Sequence, residues 1–119
     1  EFATGLKQAE AGDYQAFWLA WSGRIDPDGN SYIFLHSGAP QNYGDWNNPQ
    51  ADKALEDARL ITDPAKRKAS YETLAKLAQD EEPILYLYHR RIIIAHATRL
   101  DGYKQMPDGL VRVIGLKLK

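Results

Sequence analysis

The feature that most constrains this chain is a helix-start signal given twice, Asn48-Pro49 and Asp63-Pro64. Asn and Asp accept hydrogen bonds from the free amides of a first helical turn. Proline suits the first helical position because its missing N–H would be unpaired there anyway. After the first signal, Ala51, Ala54, Leu55, Ala58 and Ile61 fall on one helical face, and Thr62 ends the run. After the second, Ala65, Ala69, Leu74, Ala75 and Ala78 continue at helical spacing to about Asp80. Two helices joined by so short a link pack antiparallel as a hairpin. Their charged positions (Lys53, Glu56, Asp57, Lys66, Arg67, Glu72 and Lys76) are expected to meet only water.

Around this hairpin the pattern is mixed. Thr4 to Ala11 reads as a helix capped by Thr4 and stopped by Gly12-Asp13. Tyr14 to Trp21, YQAFWLAW, is apolar on both alternating faces, as in a strand buried on both sides, with Phe17 and Trp18 in the core. Ser22 to Asn30 is a loop of tight turns. Asn30 or Ser31 is placed to cap a short helix through Leu35. Residues 36–46 form a second irregular stretch, of the kind a scaffold holds toward ligands, and Trp46 suits either core or cleft rim. Glu81-Glu82-Pro83 breaks the second hairpin helix. Ile84–His89 and Ile92–Ala97 are rich in strand formers, Asp101-Gly102 and Pro107-Asp108-Gly109 are turns, and Leu110–Lys119 alternates as a half-buried strand. The fold class expected is mixed α/β.

Composition narrows the functions. The 119 residues carry 15 basic and 16 acidic side chains, so a generally basic nucleic-acid binder is excluded. Residues 1–60 carry a net charge of −5 and residues 61–119 a net of +4, which suggests two solvated surfaces of opposite sign or two structural units. With no Cys, neither a disulfide framework nor a Cys-based zinc site exists in this chain. Apolar runs such as Ile84 to Tyr88 fall far short of the roughly 20 residues a membrane span needs. The first residues show no basic segment with an apolar core, so no signal peptide is visible.

Enzymatic and metal readings are weak. His36, His89 and His96 have no zinc spacing. Asp26-Pro27-Asp28-Gly29-Asn30 faintly resembles a calcium loop, but the twelfth position is Ser37 rather than Glu. His36-Ser37 sits in no nucleophile elbow, and no Gly-rich phosphate loop is present. No cofactor, metal or catalytic residue is expected.

Specificity lies in an ordered series: Gly12-Asp13-Tyr14, Trp21-Ser22-Gly23-Arg24-Ile25-Asp26-Pro27-Asp28-Gly29-Asn30, Gln41-Asn42-Tyr43-Gly44, Asn47-Asn48-Pro49 through Asp52, Ala58-Arg59, Thr62 through Arg67, Tyr71, Pro83-Ile84 through His89, and Gly102-Tyr103. In this order and spacing the chain resembles the C-terminal part of the dipeptide/oligopeptide class (family 5) of solute-binding proteins that serve ABC importers. The resemblance spans essentially all 119 residues. It implies a periplasmic-binding-protein-like fold of two lobes that close on a ligand, in a much longer protein. Residues 1–89 would belong to the second lobe. Residues 90–119 would cross the hinge and complete the first lobe with C-terminal strands. It also implies an ABC transporter permease as partner, an extracytoplasmic location, and peptides or similar small solutes as ligand. Nickel chelates and oligosaccharides are alternatives within the class, and a stand-alone protein-interaction module is an alternative outside it.

The positions carried over by this resemblance are Trp21, Ser22, Arg24, Asn42 and Tyr43. Trp21 suits ligand contact or core packing. Ser22 would contribute mainly backbone groups. Peptide-binding relatives often carry an Asp where Arg24 stands, to pair with an ammonium group. Arg24 therefore implies an anionic or neutral ligand group, unless it pairs locally with Asp26 or Asp28. Asn42 and Tyr43 would line the cleft, or Asn42 would cap backbone groups in its loop. A piece of a larger sheet is also expected to self-associate through unpaired edges.

Overall fold

A computed structural model describes residues 1–106 and 108–119. The described residues form two compact units, Glu1–Leu85 and Tyr86–Lys119.

The first unit is helical. α1 (Phe2–Glu10) carries no side-chain cap, and Thr4 lies inside it rather than capping it. It ends as expected at Gly12, which adopts a positive φ of 70°. There Gly12 N–H donates to the Ala9 carbonyl and Asp13 N–H to the Gln8 carbonyl, the paired bonds of a Schellman ending. α2 (Asp28–Leu35) starts earlier than Asn30. The Asp26 carboxylate receives the Asp28 amide at 2.8 Å and so performs the terminal role expected of Asn30 or Ser31.

α3 (Pro49–Leu60) and α4 (Pro64–Glu81) are the expected hairpin. The Asn48 side chain receives the amides of Gln50 and Ala51, and Asp63 receives that of Lys66. Glu82, at φ 49°, ends α4 ahead of Pro83. The Ala face of α3 lets neighbouring helices approach closely. Leu35, Trp46, Ala51, Ala54, Leu55 and Leu74 form the buried core, with Tyr32, Phe34, Tyr71, Leu77, Ala78 and Ile84 against it. Glu81 ties the hairpin's open end together, accepting from Trp46 Nε1 at 2.7 Å and from Asn48 Nδ2 at 2.6 Å. Trp46 is therefore core.

The strand expected over Tyr14–Trp21 is absent. Trp18 is 64% exposed and Phe17 half-buried, so this segment is not a core strand. Among the described residues, the backbone from Tyr14 to Ile25 makes no hydrogen bond to other backbone. Apolar alternation states what a strand would bury; it supplies no neighbour to bury it against.

Among its described residues, the second unit holds only a two-residue pairing. β1 (Leu100–Asp101) runs antiparallel to β2 (Lys117–Leu118), with Leu100 opposite Leu118 and Asp101 opposite Lys117. Gly102 makes the close crossing possible, because a Cβ there would lie 2.2 Å from the Gly115 carbonyl oxygen. No strand forms over Ile84–His89 or Ile92–Ala97. Leu110–Lys119 is not a half-buried strand, since both Ile114 and Leu118 are exposed. Asp101-Gly102 and Asp108-Gly109 lie in tight backbone, while Pro107 falls outside the described residues. The class is thus mostly helix with little sheet, and a two-lobe architecture is not contained in this chain.

Candidate functional site

Two irregular loops precede the hairpin, and each is organised by one asparagine. In the first, Asn30 sits in the opening turn of α2 and reaches back over residues 21–26. Its Oδ1 accepts from the Arg24 amide at 2.6 Å and from Trp21 Nε1 at 3.2 Å. Its Nδ2 donates to the carbonyls of Arg24 at 2.7 Å and Asp26 at 3.2 Å. The side-chain amide thus pairs with both backbone groups of Arg24, as a neighbouring strand would.

That pairing shapes a small exposed platform. Trp21 is 41% exposed, with its ring edge-on to Phe34 at 5.1 Å. The Arg24 guanidinium lies over the indole, its carbon 4.4 Å from the ring centroid. Arg24 Nη1 donates to Ser22 Oγ at 2.8 Å and to the Gly23 carbonyl at 2.9 Å. Gly29 leaves room for the arginine stem, since a Cβ there would come within 3.0 Å of Arg24 Cγ. Ser22 therefore engages its hydroxyl, which holds the guanidinium.

The local pairing of Arg24 with Asp26 or Asp28 does not occur. Asp26 instead takes a two-pronged bond from Arg67, at 2.7 and 3.0 Å. Asp28 takes one from Arg59, at 2.7 and 3.0 Å. The Arg67 bond and the Asp28 amide hold the Asp26 carboxyl below its usual range, while the bond to Asp28 raises Arg59. Arg59 also stacks on Tyr32 at 3.3 Å, and Arg67 donates to the Ala58 carbonyl at 2.9 Å. The helix charges are not all met by water alone: Arg59 and Arg67 anchor the Trp21 loop to the hairpin.

In the second loop, Asn42 repeats the device. Its Oδ1 accepts from the Trp46 amide at 3.0 Å, and its Nδ2 donates to the carbonyls of Trp46 at 2.7 Å and His36 at 3.2 Å. An amide engaged in these three bonds has little left to offer a ligand, so Asn42 is the loop's own cap. Tyr43 is half-buried, edge-on to Phe17 at 5.8 Å, and its carbonyl accepts from the Tyr14 hydroxyl. Burial, then the Glu10 charge, raises the Tyr43 hydroxyl above its usual range. The structure brings Trp21, Ser22 and Arg24 together; no hydrogen bond or ring contact joins them to Asn42 and Tyr43 among the described residues.

His36 lies between these loops and α3. It stacks on Tyr32 at 4.4 Å, with Nε2 3.2 Å from Glu56 and Nδ1 2.8 Å from the Ser37 carbonyl. Desolvation lowers its pKa, but the bonds to Glu56 and Ser37 and the charge of Asp52 outweigh it, so the net shift is upward. Among the described residues no group of His, Asp and Glu is arranged to hold a metal ion, and no helix is long and apolar enough to cross a membrane. The calcium-loop carboxylates Asp26 and Asp28 are occupied by arginines.

Sequence reasoning does not single out Asn30, Arg59 and Arg67 as site residues. Nothing local marks Asn30 apart from any turn asparagine. The signal for the arginines is the Asp-Pro-Asp spacing, whose two carboxylates need partners once the loop lies on the hairpin.

No family model matches the chain, and no solved structure matches it. Curated relatives do. An oligopeptide-binding protein, AppA, of Bacillus subtilis is 31% identical over 98 residues, 80% of this chain and 18% of the relative. A probable deoxycholate-binding periplasmic protein, YgiS, of Escherichia coli is 31% identical over 94 residues, 78% of this chain and 17% of its own length. A dipeptide-binding protein of Escherichia coli is 28% identical over 114 residues, 92% of this chain and 21% of its own. The chain spans about a fifth of the length of such relatives. The similarity covers most of the chain, and it agrees with the resemblance to the dipeptide/oligopeptide (family 5) class of solute-binding proteins that the ordered motif series carries.

Proposed function

We propose that these residues form one wall of a closing solute trap, in the C-terminal part of a longer binding protein that captures peptides or similar small solutes for an ABC permease. The observation that carries this is the Trp21–Arg24 platform, side chains ordered yet exposed, on a backbone strip that has no backbone partner among the described residues. An extended peptide can add to such a strip at Trp21 and Ser22, beside the Arg24 backbone that Asn30 already holds, taking affinity from main-chain bonds. Residues 1–89 supply the second lobe's share of the cleft, and 90–119 cross the hinge and complete the first lobe. Ligand favours the closed form because only there does it touch both walls. The role is capture on the extracytoplasmic side, with no bond made or broken.

Relatives named for an oligopeptide, a dipeptide and deoxycholate support a small organic solute over an oligosaccharide or nickel chelate. The test is mass spectrometry of small molecules that travel with the longest native form of the protein, followed by calorimetry with each. A bound solute whose affinity falls in Trp21→Ala is the expected result. The 119 residues alone should bind the same solute far more weakly. A native protein that carries no solute and takes none from a peptide library contradicts the reading.

A further inference from the structure

We infer that the Arg24 guanidinium, laid on the Trp21 indole, receives a carboxylate of the captured solute. The inference rests on the capture role and gives the ligand its chemical class.

Three arginines lie in the first unit, Arg24, Arg59 and Arg67. Two are neutralised by forked carboxylate bonds. The carboxylates used, Asp26 and Asp28, are those nearest to Arg24 in sequence, and both are turned to the helical hairpin instead. Arg24 is left with neutral partners only, the Ser22 hydroxyl and the Gly23 carbonyl, both on Nη1. Its Nε and Nη2 have no hydrogen-bond partner among the described residues.

An arginine that merely meets water is free to move. This one is held by the indole beneath it at 4.4 Å, the two bonds to Nη1, the Asn30 amide on its own backbone, and the gap over Gly29 that admits its stem. A guanidinium ordered in advance loses little freedom on binding, so more of the contact appears as affinity. The fork matches a carboxylate in geometry and charge. The half-exposed indole beside it suits an apolar group adjoining that carboxylate. The carboxylate belongs to a peptide C-terminus or to a non-peptide acid, and the two sources share this chemistry.

The experiment uses the longest native form of the protein and calorimetry. The probes are a mixture of tripeptides, the same mixture with C-terminal amides, deoxycholate, and deoxycholic acid amide. The expected result is a free acid that binds more tightly than its amide, by on the order of 10- to 100-fold, as for a charge-assisted forked bond. Arg24→Gln should erase that ratio by weakening the acid alone, and Arg24→Lys should keep part of it. Both side chains stay in water, and unchanged thermal melting confirms folding. A peptide or a deoxycholate preference of this kind supports the inference and names the source. Equal binding of acid and amide, or a preference that survives Arg24→Gln, overturns it while leaving the capture role standing. Binding of none of the four probes overturns both.

Discussion

Asn30→Ala removes four hydrogen bonds at once, and their placement sets the consequence. Two of them, at 2.6 and 2.7 Å, join the side-chain amide to the N–H and carbonyl of Arg24. The other two, at 3.2 Å, reach Trp21 Nε1 and the Asp26 carbonyl. A hydrogen bond is worth about 1 kcal/mol net, and less where water can replace the partner. All four lie in exposed surroundings, so the two short bonds set the scale, at about 1–2 kcal/mol for holding the loop closed. That cost is local, because none of the four bonds reaches the Leu55 core. Amide hydrogen exchange reads it directly. In Asn30→Ala the Arg24 amide should exchange about 5- to 30-fold faster, while amides inside α3 keep their rates. Asn30→Asp keeps the accepting oxygen and sets a carboxylate against two carbonyls, so it should loosen the loop less at the Arg24 amide than alanine does. Unchanged exchange at Arg24 in the alanine variant would refute the idea that Asn30 stands in for a strand partner. A parallel rise in α3 would refute the claim that the loop opens independently of the core.

Leu55, fully buried between α3 and its neighbours, should lose about 2–5 kcal/mol as Leu55→Ala, measured by urea unfolding of the chain. His36 should titrate above its ordinary value of 6.5 by NMR, and Glu56→Gln should lower it. Because the folded state raises this pKa, the stabilisation is complete below about 6.5 and fades as the pH rises through the folded value. The 119 residues alone should associate with rising concentration in sedimentation, since Leu85, Tyr86, Leu87, Tyr88 and Ile93 are exposed; a monomer at all concentrations would contradict this.

What the sequence made legible was whatever it could satisfy with its own nearby residues. The hairpin starts were readable because Asn48 and Asp63 cap amides two or three positions on. The Gly12 ending was readable for the same reason. The platform was readable only as a set of residues. Its geometry depends on Asn30 choosing Arg24, and on Asp26 and Asp28 choosing arginines 41 and 31 positions away rather than the one beside them. Sequence distance favoured the wrong pairing. What decided it was the hairpin, which presents Arg59 and Arg67 on the face where the loop lands.

The strands failed for a complementary reason, and the failure bears on the capture role. A folded chain of this mass exposes about 6,500 Å², whereas this one exposes 9483 Å². Most of the large apolar side chains left exposed lie in the segments that alternate like strands, Tyr14–Trp21, Leu85–Ile93 and Leu110–Leu118. Apart from Lys117–Leu118, those segments keep strand sequence without strand pairing, because a strand is completed by another chain segment and a helix by itself. Asn30 and Asn42 show how far one side chain can substitute: each pairs with both backbone groups of a single residue and reaches one further carbonyl. A partner of strand length is needed for the rest. On this reading, the stretch around Trp21–Arg24 is where the partner is the solute: side chains hold Arg24 in place, and the backbone groups of Trp21 and Ser22 are left to the solute.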